Sequence, residues 1–330
     1  MPPPRQTRLP VQVRPRSLVF QGDTLVDWVG GGARWHLHDG SFQRASVNYA
    51  YPFDAAVTTA SGEWVVLYTR LGTKGVILHD GTVHREINRS FYHANEYEYP
   101  IALLADPNGR TLLAHCPNAY NELELADIAT GECLTPRTAT PLADVFYSRL
   151  SASPSGRHLV SAGWIWHPID VVQTLDMAAA LGDRPDSAGA VCHTLAVGED
   201  CSAAWSDDDL LVVTRGAENE PEGWDDHGLP PGHLGIFSMV NGTFLSTSPI
   251  ADRIPAGPIM PVDGTRAIFF HKHPRLLSFT TGEVVHEWPD LDTGNEAGAI
   301  LRGRRLRPPI AFGKRRFAVA GEGEIIVVDV

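Results

Sequence analysis

Seven of the 14 histidines and seven of the eight tyrosines fall in a few short polar stretches. These stretches are NYAYPFD (48–54), NRSFYHANEYEYP (88–100), HCPNAYNE (115–122), ADVFYSR (143–149), GWIWHP (163–168), AENEPEGWDDHGLPPGH (217–233) and HKHPR (271–275). Aromatic rings interleaved with His, Asn and Glu supply flat apolar area together with directional hydrogen bonds, the chemistry of a ligand or partner surface. The candidate residues are Tyr92, His93, Tyr97, His115, Tyr120, Trp164, Trp166, His167, His271 and His273. Two enzymatic uses of the same residues are open. Several imidazoles gathered about one point would ligate Zn, Fe or Cu. Alternatively, His93 with Glu96 or Glu98 would do acid–base work, because an imidazole beside a carboxylate titrates near neutrality.

Each residue also has a plainer reading. Tyr and Trp at strand ends seal gaps between elements. His beside Pro, as in His167-Pro168 and His273-Pro274, is a turn residue. His271 and His273 share a face only if a strand continues through them. The acidic part of 217–233 reads as a solvated insertion. It is the gathering of the set that points to a site.

No GxSxG, HExxH, P-loop, GxGxxG or EF-hand pattern occurs, so nucleophilic catalysis has no support. Lys plus Arg is 27 against 39 Asp plus Glu, a net charge of −12. That acidity argues against nucleic acid as a partner. Cys116, Cys133, Cys192 and Cys201 show no metal-ligand spacing and are too few for a disulfide framework, so free thiols are expected. The N-terminal stretch has no apolar h-region and no run is long enough to span a membrane, so a cytoplasmic protein is expected.

The elements that position these stretches repeat. A turn followed by a β-branched or aromatic run recurs seven times. It is marked by Gly22, Gly62, Gly109, Gly156, Asp208, Gly264 and Gly313, at spacings of 40, 47, 47, 52, 56 and 49 residues. A second tight turn recurs within most units, as at Asp39-Gly40, Asp80-Gly81, Gly131, Asn241-Gly242 and Gly282. Glycine there accepts the positive φ of a two-residue hairpin. Four short strands per unit at this period predict a seven-bladed, all-β propeller. The chain stops at the third strand of the last unit. A segment near 10–14 is therefore predicted to close the ring as that unit's fourth strand, removing an exposed edge. Residues 176–190 read as an insertion in the fourth unit. The alternative architecture is two stacked β-sandwiches.

With these repeats in place, the chain resembles the seven-bladed WD40/YVTN-like propellers along nearly all its length, and Ser153-Pro154-Ser155-Gly156 resembles the SPDG turn of those families. Paired GH…WD signatures are absent, so no partner rule carries over. Residues 1–330 are expected to form one propeller domain.

With each unit's strands lettered A to D in chain order, blade geometry puts the B–C loops and D–A connections on one face, and these are the aromatic and His-rich stretches. The opposite turns are short. The preferred reading is a binding propeller that recognises a peptide, protein or small polar ligand on the B–C/D–A face, its side chains converging on the mouth of the central channel. The alternative is a metal- or His-dependent enzyme at the same mouth. No cofactor is assigned beyond a transition metal held by His in that alternative. Arg302, Arg304, Arg305, Arg307, Lys314, Arg315 and Arg316, with Arg5, Arg8, Arg14 and Arg16, all fall on the last blade if the ring closes. They would either steer an acidic partner or pair with acids of neighbouring blades.

Overall fold

The structure is a computed structural model that describes residues 4–330 except 107, 136–141, 167, 183–184 and 219–227. Among the described residues the strands form seven antiparallel sheets. The first strands of most neighbouring sheets lie against one another around a ring. The molecule is thus a seven-bladed β-propeller.

Blade 1 is built from Val19–Gln21, Thr24–Asp27, Ala33–His36 and Phe42–Gln43. Blade 2 uses Ala55–Thr58, Trp64–Tyr68, Lys74–His79 and Thr82–Asn88. Blade 3 has Ile101–Ala105, Thr111–His115 and Glu124–Asp127, with a lone bridge from Ala126 to Cys133. Blade 5 holds Ser202–Trp205, Leu210–Thr214, His233–Ser238 and Thr243–Pro249. Blade 6 holds Ile259–Asp263, Arg266–Phe269, Arg275–Ser278 and Val284–Glu287.

Blade 7 contains Ile310–Gly313, Arg316–Ala320 and Glu324–Asp329, and the N-terminal strand Arg5–Pro10 completes it. Closure is as the sequence predicts, but the closing strand lies N-terminal to 10–14. Arg5 pairs with Asp329 and Pro10 with Glu324. The reason is burial. This register turns Leu9 into the core beside Ile325 and Val327. Val13, within the predicted strand, is exposed.

The core lies between blades. Leu104, Leu112, Leu125, Leu159 and Leu175, for example, form one cluster between blades 3 and 4. Each such side chain contributes roughly 1.5–3 kcal/mol of burial. The blade 4 turn at Gly156 shows how closely blades meet. Gly156 has φ +75°, and a Cβ there would sit 2.3 Å from the Ala105 carbonyl oxygen of blade 3.

Blade 4 is the irregular one. Its second and third strands, His158–Ile165 and Ile169–Asp176, run eight residues each, whereas the second strands of the other blades have four or five. At about 3.3 Å per residue the extra length raises this blade by roughly 10 Å above its neighbours. Its first strand is split. Ser151–Ala152 pairs low on the second strand, while Val145–Phe146 pairs with Ile165 and Trp164 at its top. The expected insertion holds the short helix Met177–Ala180, capped by Asp176, and the 3-10 turn Ala188–Ala190 before the fourth strand, Val191–Gly198.

The four cysteines are free. Among the described residues, no helix is long and apolar enough to cross a membrane.

Candidate functional site

The extra height of blade 4 decides where the aromatic residues meet. Trp164 and Trp166 are two apart on the extended second strand and its following turn, so they project to the same side. Phe146, paired in register with Trp164, stacks on it with centroids 3.9 Å apart. Tyr120, from the B–C loop of blade 3, stacks on the other side of Phe146 at 4.0 Å. The connection from blade 2 to blade 3 adds Tyr97, edge-on to Phe146 at 5.5 Å, and Tyr92, 5.3 Å from Tyr120 and 6.3 Å from Trp166. His93 stands edge-on to Trp166 at 5.1 Å. Six of the ten predicted residues therefore form one cluster.

The cluster has a buried floor and an open top. Tyr97 and Trp164 are buried, at 1% and 3% exposure, whereas Tyr92 and Trp166 are 42% and 38% exposed. Beside them Phe91 is 86% exposed. An exposed aromatic surface of this kind marks an interaction site more often than a lone apolar side chain does. We call it the aromatic shelf. Burial, then the Asp144 carboxylate that accepts the Tyr120 hydroxyl proton at 2.5 Å, pushes the Tyr120 phenol up to about 12. Tyr120 therefore stays a neutral donor.

The loop that carries Tyr92 is held in place from below by Arg89. Its guanidinium donates to the carbonyls of Gly72 at 2.8 Å, Ala94 at 2.5 Å and Tyr97 at 3.0 Å, and lies over the rings of Tyr97 and Tyr99. His93 has φ +52°, a left-handed conformation costly for a non-glycine residue. Arg89 is the positioning residue that sequence reading missed. It stands in the NRSFYHANEYEYP stretch, but nothing in its spacing marks it as buried.

The other predicted residues lie elsewhere. His115 is buried in the second strand of blade 3, opposite Ile101 and Glu124. Burial, reinforced by Arg85, lowers its imidazole to about 4, so it stays neutral in the core. His271 is buried at blade 6, its Nδ1 3.0 Å from the Glu296 carbonyl oxygen. His273 faces Glu287 at 3.1 Å on the same blade. Neither His115, His271 nor His273 makes a ring contact with the shelf. His167, and the Trp224 and His227 of the long blade 5 loop, lie outside the described residues.

Convergence on the channel mouth needs correction. The connection from blade 6 to blade 7, residues 289–309, crosses that face. Gly294 bridges to Lys272 of blade 6, and Ile300 bridges to Tyr97. Ala297 accepts from Ser202 of blade 5, and Ala299 donates to Asp170 of blade 4. Reaching blades on opposite sides of the ring, the segment occupies the mouth, and the shelf lies to one side of it.

A buried square of charges fastens the segment. Arg70 of blade 2 pairs with Glu296 at 2.7 Å and Glu98 at 3.3 Å, while Arg307 pairs with Glu98 at 3.2 Å and with Glu296. The Tyr68 hydroxyl donates to Glu98 at 2.9 Å. Burial opposes ionisation of Glu98, but Arg307 and Arg70 overcome it and hold the carboxyl well below its ordinary range. A cavity of about 1150 Å³ lies beside the segment, along the inner strands of blades 1, 2 and 7, and none of the ten predicted residues lines it.

Two further features bear on the sequence reading. The opposite face is not bland: Trp64 stacks on His79 at 4.1 Å and meets His84 edge-on at 5.2 Å. The basic residues of the last blade are largely neutralised within the molecule. Arg8 pairs with Glu324, Arg302 with Glu96, Arg304 with Asp200, Arg305 with Asp292, and Arg316 with Asp23 and Asp329. Ring closure and the crossing segment bring acids from several blades to them.

The comparisons agree with the fold. The chain is similar to the β-propeller domain of Cps50 (Swd1) from Myceliophteria thermophila, with a TM-score of 0.61 and 13% identity over 99% of this chain and 100% of that one. In all, 1077 chains of solved structures match, so the architecture is widely shared. No family model matches, and no curated protein matches. The class is therefore a seven-bladed β-propeller. At 13% identity the likeness concerns the fold alone.

Proposed function

We propose that the protein is a recognition module whose aromatic shelf docks a peptide segment of a partner protein. One observation carries the reading: Tyr92 and Trp166 are exposed side by side, with the exposed Phe91 next to Tyr92 in the chain, on loops whose rings and carbonyls are fixed from below by Phe146, Trp164 and Arg89. Aromatic anchors on a rigid frame bind with little ordering cost.

The enzymatic alternative gains no such support. Among the described residues no three His, Cys, Asp or Glu are grouped to hold a metal. Of the carboxylates suggested for His93, Glu98 is committed to the buried square and Glu96 to Arg302.

Panning a phage-displayed random dodecamer library against the full chain tests the proposal. Peptides retained by the wild type and lost from a Tyr92→Ala/Trp166→Ala variant that still folds support docking on the shelf. Peptides that bind both proteins alike, or no retained peptide, overturn it.

A further inference from the structure

Tyr92 and Trp166 form more than an apolar spot. Their ring centroids are 6.3 Å apart and their planes meet at 72°. The His93 ring closes one side of this corner, 4.5 Å from Tyr92 and 5.1 Å from Trp166, and the exposed parts of the two rings leave an open side where a small group can lie within about 6 Å of both centroids, the range over which a cation is attracted to an aromatic face.

Among the described residues, the unpaired charges of the loops around this corner are carboxylates. Tyr92 abuts Tyr120, whose hydroxyl is held by Asp144, so that carboxylate sits just behind the corner. Asp144 is exposed and Glu122, on the Tyr120 loop, is half-exposed. Among the described residues neither is paired with a cation. Among the described residues the arginines of these loops are engaged elsewhere, and Arg137, on the connection that carries Asp144, lies outside them. Arg89 is buried on backbone carbonyls, and Arg149 donates to the carbonyls of Ala162 and Cys201. Arg302, which reaches the neighbourhood from the crossing segment, pairs with Glu96. The chain as a whole carries −12. A neutral apolar anchor would satisfy the rings but leave these carboxylates without a counter-charge.

We infer that the shelf takes a basic peptide, with one lysine or arginine side chain seated in the Tyr92–Trp166 corner and the Asp144 carboxylate close by. This rests on the docking reading above and adds the chemistry of the ligand. The alkyl stem of the side chain lies along Tyr92 while its charged head meets ring faces and carboxylate.

The test uses the peptides recovered by panning, resynthesised with each lysine or arginine replaced in turn by norleucine, which keeps the stem and removes the charge. One replacement is expected to weaken binding roughly tenfold. Trp166→Leu and Tyr92→Leu, which keep apolar area but remove the π face, weaken the basic peptide and leave its norleucine form unchanged. Tyr92→Phe restores binding. Asp144→Asn weakens the basic peptide and flattens its salt dependence. Thermal melts confirm folding of each variant. If Tyr92→Leu does not fold, Trp166→Leu and Asp144→Asn at exposed positions decide.

The outcomes separate the two readings. Peptides that are lost from Tyr92→Ala/Trp166→Ala but bind equally well with norleucine leave docking standing and overturn the cation. Peptides indifferent to both changes, or a panning that retains none, overturn both.

Discussion

The connection from blade 2 to blade 3 does two opposite things within a few residues. At Phe91 to His93 it presents rings outward, from a backbone held in a left-handed turn. At Glu98 it buries a carboxylate against two arginines and a tyrosine, gripping the segment that crosses the channel mouth. Among the described residues the outward half leaves Phe91 86% and Tyr92 42% exposed. The inward half leaves both Glu98 oxygens paired. A buried charge pair contributes little net stability compared with an apolar filling, yet breaking one is expensive because it strands the other charge. The difference teaches that the inward half fixes one arrangement of the crossing segment, and the outward half leaves open the rings to which the proposed docking is assigned.

That contrast can be broken from the inward side first. Glu98→Ala or Arg307→Ala strands a buried charge and should cost about 3–5 kcal/mol, read as a lowered denaturation midpoint. Removal of residues 1–10, which strips the closing strand from blade 7, should be comparably severe and expose an edge that aggregates. If either variant melts like the intact protein, the anchoring account is wrong.

The pH response sharpens the comparison. Glu98 and Glu296 are held below their ordinary value by Arg307 and Arg70 against the opposing effect of burial. Their stabilisation is therefore complete above about pH 4.5 and is lost as pH falls below it. Asp170 has the opposite sense. Burial, partly offset by Arg149 and by the N–H groups of Ala299 and Cys201, raises it from 3.8 to about 7. Its protonated form is favoured in the folded chain, so its contribution is full below 3.8 and lost as pH rises through about 7. Denaturation across this range should show stability falling between pH 4 and 7. Asp170→Asn should remove that slope.

On the outward side, Trp166→Ala should change stability by less than about 1 kcal/mol while abolishing peptide binding. A large loss of stability would make Trp166 a packing residue and erase the contrast. The smallest effect is expected at the thiols. Titration of the denatured, unreduced chain should give four, with no shift in melting on adding reductant.

The blade period and the hairpin turns were legible in the chain because they depend on neighbours a few residues apart: turn glycines and alternating apolar runs. Ring closure was legible from the count of strands, a last unit one strand short, but its register was not, since what buries Leu9 is Ile325 and Val327 of blade 7, more than 300 residues along the chain. The shelf was legible in part. Tyr92, His93, Tyr97, Tyr120, Trp164 and Trp166 were picked by type and by loop, and the fold brings them together. His115, His271 and His273 were picked by the same signal and lie elsewhere, because sequence shows that a residue sits near a strand end and not which way the end points.

What the sequence by itself determined is the local grammar: strands, turns, seven units and a charge of −12. The tertiary structure alone decided three things. Blade 4 stands taller than its neighbours, residues 289–309 lie across the channel mouth, and the arginines near the last blade find acids from three other parts of the ring. The last two depend on groups a hundred residues or more apart, or on which blade faces which, and the first matters only through the blades it stands beside. Charge pairing and ring stacking act over a few ångströms in space, and separation along the chain does not encode that distance.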